Sequence, residues 1–168
     1  GMYSEKGRDD ASLSAYYATY IQGFLVRESE VVMMAQRLLG ADNAYEASQI
    51  LEKGFKEKVI EQNEKNLRLL ATAYTLSQET NQAIDAWRDA TKYAEDGQLF
   101  FRLAQALAAE DRHKEAVKAY KDAQKKGDLK KPADAAFWQG ISEMQLERWN
   151  SATKSFRKAS KLDKKKAK

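Results

Sequence analysis

The chain has 168 residues, 43% of them hydrophobic and 32% charged, a composition that builds a globular domain of ordinary size rather than a disordered chain. With no cysteine and a single histidine, His113, the sequence excludes disulfide frameworks, thiol catalysis, His-dependent triads and cysteine-based metal sites. Five lysines and one aspartate in residues 161–168 supply the whole net charge of +4. The rest of the chain carries 24 basic and 24 acidic side chains, a balance that argues against a basic nucleic-acid-binding face.

In chain order, Gly1 ahead of Met2 reads as a tag remnant, and residues 1–9 as a flexible segment. Leu13, Tyr16, Tyr17, Tyr20, Ile21 and Phe24 recur at helical spacing behind Asp9 and Asp10, which predicts a leading helix within residues 10–27. That helix takes the slot of a second helix without its partner, so the array is expected to begin partway through a longer one. Four helical hairpins are then expected over residues 29–60, 64–95, 97–127 and 132–162, followed by a Lys-rich tail over 163–168. Breaks such as Glu110-Asp111-Arg112 are short enough to join antiparallel helices. The single proline, Pro132, stands at a favourable first-turn position of the last hairpin. No apolar run approaches the roughly 18 residues of a membrane-spanning helix.

The four hairpins repeat one rhythm. Each second helix has a small residue followed four later by a bulky one: Ala47/Leu51, Ala83/Trp87, Ala116/Tyr120 and Ala152/Phe156. Three positions on comes another small residue, Gly54, Ala90, Ala123 or Ala159. These positions share one helix face, where alanine lets helices approach and the large residue fills the space between hairpins. Each first helix carries Ala35, Ala71, Ala104 or Gly140 at its matching place. The pattern resembles the tetratricopeptide repeat. Leu67, Leu70, Ala71, Tyr74, Ala83, Trp87 and Ala90 hold its signature places in the second hairpin. The last hairpin departs from it, with Ala136, Gln139 and Glu143 where bulky apolar residues are expected, as suits a terminal repeat with a polar outer side. The resemblance implies an all-α, right-handed superhelical solenoid of four tetratricopeptide-type hairpins plus one leading helix.

Residues 45–74 and 95–149, with their connecting loops, are further similar to the C-terminal repeats of periplasmic tetratricopeptide proteins associated with TonB systems in Gram-negative bacteria. That resemblance implies a non-enzymatic accessory subunit in the periplasm, with a TonB, ExbB or ExbD component as partner. The alternative is a C-terminal regulatory or adaptor region of a larger envelope, secretion or signalling protein.

Nothing in the sequence offers catalytic residues, a metal site or a cofactor. Carboxylate pairs such as Asp85 with Asp89 and Glu143 with Glu147 read as solvated helix surface, and His113 as a turn histidine without further metal donors. A repeat array binds along the surface lined by its first helices. The groove places there are Val32 and Gln36, then Lys65, Arg68 and Thr72, then Gln98, Phe101 and Gln105, and finally Phe137, Ile141 and Met144. This mixed apolar and amide lining suits a peptide or protein segment with apolar anchors. The Lys/Asn carboxylate clamp of chaperone-binding members of the family is absent from these places. Trp87 and Trp149 are expected in packing positions, and packing is also the favoured reading of Trp138, one place from the groove line. Neither specific nucleic-acid binding nor membrane insertion is expected, and a homo-oligomer is compatible with the sequence.

Overall fold

A computed structural model describes residues 27–166 and Ala18. The expected leading helix and the segment before it therefore lie outside the described residues, Ala18 excepted. Among the described residues the chain is all-α: α1 (Glu28–Gly40), α2 (Ala44–Lys56), α3 (Glu64–Leu76), α4 (Thr80–Thr91), α5 (Gln98–Ala109), α6 (His113–Lys126), α7 (Pro132–Gln145) and α8 (Trp149–Lys166). It divides into two compact units, the first ending at Glu79 and the second running from Thr80.

One turn recurs through the chain. After α1, α3, α5 and α7 come three residues whose middle member is left-handed: Asp42, Gln78, Asp111 and Glu147, with φ of 60°, 62°, 54° and 57°. The N–H of the next residue reaches back five positions, Asn43 to Leu38, Glu79 to Tyr74, Arg112 to Leu107 and Arg148 to Glu143, at 2.9–3.0 Å. These bonds satisfy carbonyls that a helix end would leave unpaired. Glycine is the usual residue there; a side chain in this conformation costs about 1 kcal/mol per turn.

Within the first unit α1 packs on α2 and α2 on α3. Met34, Ala35, Ala47 and Leu51 are fully buried between them. Asn66, at the start of α3, is the polar pin of this unit. Its backbone N–H is capped by Asn63 Oδ1 at 2.9 Å, and its amide donates to Glu28 Oε1 at 2.6 Å and to the Glu61 carbonyl at 2.9 Å. Asn66→Ala removes both side-chain donations from a buried position and leaves a void where the amide packed. It is expected to cost about 2 kcal/mol, read from the urea midpoint of the full chain.

Within the second unit the helices pack successively from α4 to α8. Ala83, Ala90, Ala104, Ala116, Ala123 and Ala152 are buried, with Trp87 and Tyr120 beside the small residues as the rhythm predicts. Gly140 permits the closest approach of the last hairpin: a Cβ there would lie 2.6 Å from the Phe156 ring. Burial also pushes the Tyr120 hydroxyl well above the ordinary tyrosine pKa, so it stays protonated.

The last hairpin differs from expectation in three ways. Gln139 and Glu143 do not form a polar outer side, and Glu143 is not solvated surface; it is only 3% exposed. Its carboxylate accepts from Gln139 Nε2 at 2.8 Å and from Ser155 Oγ at 2.7 Å, while Gln139 Oε1 accepts from Gln124 at 2.7 Å. This chain ties α6, α7 and α8 together, so polar residues occupy a core position by satisfying one another. Trp149 is 60% exposed rather than packed, because it begins α8 ahead of the residues that face α7. Finally, α8 continues to Lys166, through residues 163–166 of the expected tail. Lysine is a good helix former, and cations are favourable at a helix C-terminus.

Candidate functional site

The second unit brings the first helices of its last two hairpins, α5 and α7, to opposite sides of a groove with two neighbouring cavities. One, of about 260 Å³, is polar. Gln98, Phe101, Arg102 and Gln105 of α5 line it together with Leu129, Lys130, Lys131 and Asp134. The Gln98 side-chain oxygen accepts from the Lys130 backbone N–H at 3.4 Å, which draws the α6–α7 loop over this end. Arg102 donates to Gln105 Oε1 at 3.2 Å.

The second cavity, of about 410 Å³, shares Gln105 as a wall and is mostly apolar. Ala108 and Ala109 of α5 face Trp138, Ile141, Ser142 and Gln145 of α7, with Asp111, His113 and Tyr120 also contributing. Two small alanines at the end of α5 leave the space that the tryptophan borders. Trp138 is 44% exposed and held edge-on by Phe137, with ring centroids 5.5 Å apart. Two polar atoms of this lining, Ser142 Oγ and His113 Nδ1, are buried without a hydrogen-bond partner among the described residues. His113 Nε2 lies 3.5 Å from the exposed Asp111 carboxylate, which turns the ring's other nitrogen to the interior. An apolar pocket holding a few unpaired polar atoms is suited to one bulky side chain and its adjoining peptide bond.

The groove places named from the sequence divide as follows. Gln98, Gln105 and Ile141 line the two cavities. Phe101 is 9% exposed and packs on Tyr120 at 5.8 Å, so only its edge reaches the polar cavity. Phe137 is exposed but leans on Phe156 at 5.6 Å and lines a separate cavity of about 560 Å³ between α7 and α8. Met144 is exposed. In the first unit Val32 is buried beside Val31, whereas Gln36, Lys65 and Arg68 are exposed. Arg68 lies 3.9 Å from Glu64, and Thr72 bonds its own helix at the Arg68 carbonyl. Sequence reasoning missed Trp138 and His113 as pocket residues. The signal available was the Ala108-Ala109 pair, which leaves room opposite them.

The carboxylates Asp85 and Asp89 are surface groups, as the sequence predicts, paired with Arg88 at 2.6 Å and Lys92 at 2.7 Å. No group of three His, Asp or Glu residues able to hold a metal occurs among the described residues, nor is any described helix long and apolar enough to cross a membrane.

Neither a protein-family model nor a curated protein matches the sequence. Solved structures do match the fold. A crystal structure of MamA superposes with a TM-score of 0.79 at 19% identity, covering 98% of this chain and 94% of that one. MamA from Desulfovibrio magneticus RS-1, from residue 41 to its end, gives 0.75 at 12% identity over 96% and 89%. YrrB, described as a TPR protein with an unusual peptide-binding site, gives 0.74 at 17% identity over 96% and 81%. Identities this low carry the architecture and not the activity. The hairpins, their alanine-and-wedge packing and these likenesses agree: the chain has the tetratricopeptide-repeat fold.

Proposed function

We propose that this protein is a non-catalytic interaction scaffold whose α5–α7 groove binds an extended or helical segment of a partner protein. The observation that carries this reading is the apolar cavity at Trp138, with the buried, unpaired Ser142 Oγ and His113 Nδ1 in its lining. An apolar anchor of the partner enters beside Trp138 and Ile141, and Gln98, Gln105 and Gln145 bond its backbone. Gln36, Lys65, Arg68 and Thr72 are proposed as polar partner contacts of the first unit by itself.

Panning a random peptide display library on the full chain tests the reading. Selected peptides should share a bulky apolar residue, and Trp138→Ala should weaken them about 30-fold, the size of an interface hot spot, with an unchanged melting curve. Equal affinity for Trp138→Ala would remove the assignment.

The finer reading places the partner in a TonB–ExbB–ExbD assembly and this chain in the periplasm as its accessory subunit. It rests on the sequence resemblance of residues 45–74 and 95–149 alone. Genes for that assembly beside this one, and recovery of the protein from the periplasmic fraction, would support it. A catalytic domain encoded upstream in the same gene would favour the regulatory or adaptor region instead.

A further inference from the structure

The opposite side of the second unit, between its second helices α6 and α8, carries a different chemistry. A cavity of about 410 Å³ there is lined by Lys121, Gln124 and Lys125 of α6, Gln139 of α7, and Lys154, Ser155 and Lys158 of α8. The four lysines are exposed and make no ion pair or hydrogen bond among the described residues, and no carboxylate belongs to the lining. The acidic group beneath, Glu143, is buried and already accepts from Gln139 and Ser155. A chain whose body is neutral thus concentrates four unpaired cations around one depression. Its sequence hides this, because the compensating carboxylates lie on other faces, as in Glu115 with Arg112 at 2.8 Å.

We infer that this lysine-walled groove is a second docking site, for an acidic polypeptide segment, separate from the α5–α7 groove. Lys121 with Lys125 and Lys154 with Lys158 stand four residues apart on their helices, a rise of about 6 Å. Glutamates four apart on a partner helix have the same repeat. The floor favours a polypeptide over a polyphosphate. Gln124 Nε2 donates to the Tyr120 carbonyl at 3.2 Å and to Gln139 Oε1 at 2.7 Å, which fixes the amide orientation, since a carbonyl only accepts. Gln124 Oε1 is left buried without a partner. A peptide brings N–H donors beside its carboxylates and can satisfy that oxygen; a phosphate backbone brings acceptors alone. The patch is also a single cavity wide, short of the extended footprint of a nucleic-acid binder.

Fluorescence anisotropy on the full chain, at low ionic strength, tests the site with two probes. One is a fluorescein-labelled Ala/Glu helical peptide with glutamates at i and i+4, the other a labelled oligothymidylate of equal length. The peptide should bind saturably and weaken as salt rises. The double variant Lys121→Glu, Lys158→Glu, both exposed positions, should lose about tenfold or more in affinity without a change in melting curve. Trp138→Ala should leave this binding untouched, which separates the site from the α5–α7 groove. Absence of saturable peptide binding, equal affinity for the reversed-charge variant, or tighter binding of oligothymidylate than of peptide would each overturn the inference.

Discussion

Glu143→Ala is expected to destabilise the protein by about 3 kcal/mol, more than any surface substitution in the chain. The carboxylate is the common acceptor of Gln139 Nε2 and Ser155 Oγ and is itself buried. Each donor left unpaired in the interior costs about 1–3 kcal/mol, whereas the bonds themselves contribute less when made. Glu143→Gln keeps the shape and one acceptor oxygen, and the serine hydroxyl can turn to accept from the new amide; its expected cost is about 1 kcal/mol. The combination Gln139→Leu, Glu143→Leu, Ser155→Ala removes the polar groups together and should recover most of the loss, because the only bond it newly breaks without removing both partners is that from Gln124 Nε2 to Gln139, and Gln124 Nε2 still donates to the Tyr120 carbonyl at 3.2 Å. Urea denaturation followed by circular dichroism measures all three. A Glu143→Ala midpoint within about 0.5 kcal/mol of the parent would mean that the carboxylate is solvated.

Gly97→Ala is expected to cost a comparable amount, about 3 kcal/mol, by overpacking. A Cβ at Gly97 would fall against the Ala123 carbonyl oxygen and within 2.8 Å of the Gly127 oxygen. Both are backbone atoms at the end of α6, and Gly97 N–H already donates to that Gly127 oxygen at 2.8 Å. Neither rotates away as a side chain would, so α5 must shift from α6 along its first turn. Gly40, the last residue of α1, meets nothing within 4 Å of an added Cβ, and Gly40→Ala should be neutral or stabilising by about 0.5 kcal/mol. A thermal melt of the two variants side by side separates close approach from helix propensity. Equal melting temperatures would show that α5 accommodates the methyl group freely.

The repeat rhythm was legible in the sequence because it is a local property. Ala116, Tyr120 and Ala123 lie on one face by helical spacing alone, and a residue flanked by small neighbours at i−4 and i+3 is the wedge wherever the helix is placed. The Schellman-type turns were legible as breaks but not in detail: Asp42 and Asp111 are of a type that tolerates the left-handed conformation, but Gln78 and Glu147 do not advertise it. What the sequence left open was which neighbour covers each flank of a first helix. One residue is about a 100° rotation, so Phe101 turns onto Tyr120 while Trp138, one place off the groove line, borders a cavity.

The sequence by itself thus determined the helical hairpins, their alanine notches and the absence of a histidine- or cysteine-based centre. Tertiary structure alone decided three things: that Glu143 is a core residue, that Trp138 faces open space, and that four lysines from two helices meet around one depression. The physical reason is the same in each case. Helical periodicity is set by bonds four residues apart, whereas burial and local charge depend on side chains brought together from helices far apart in the chain.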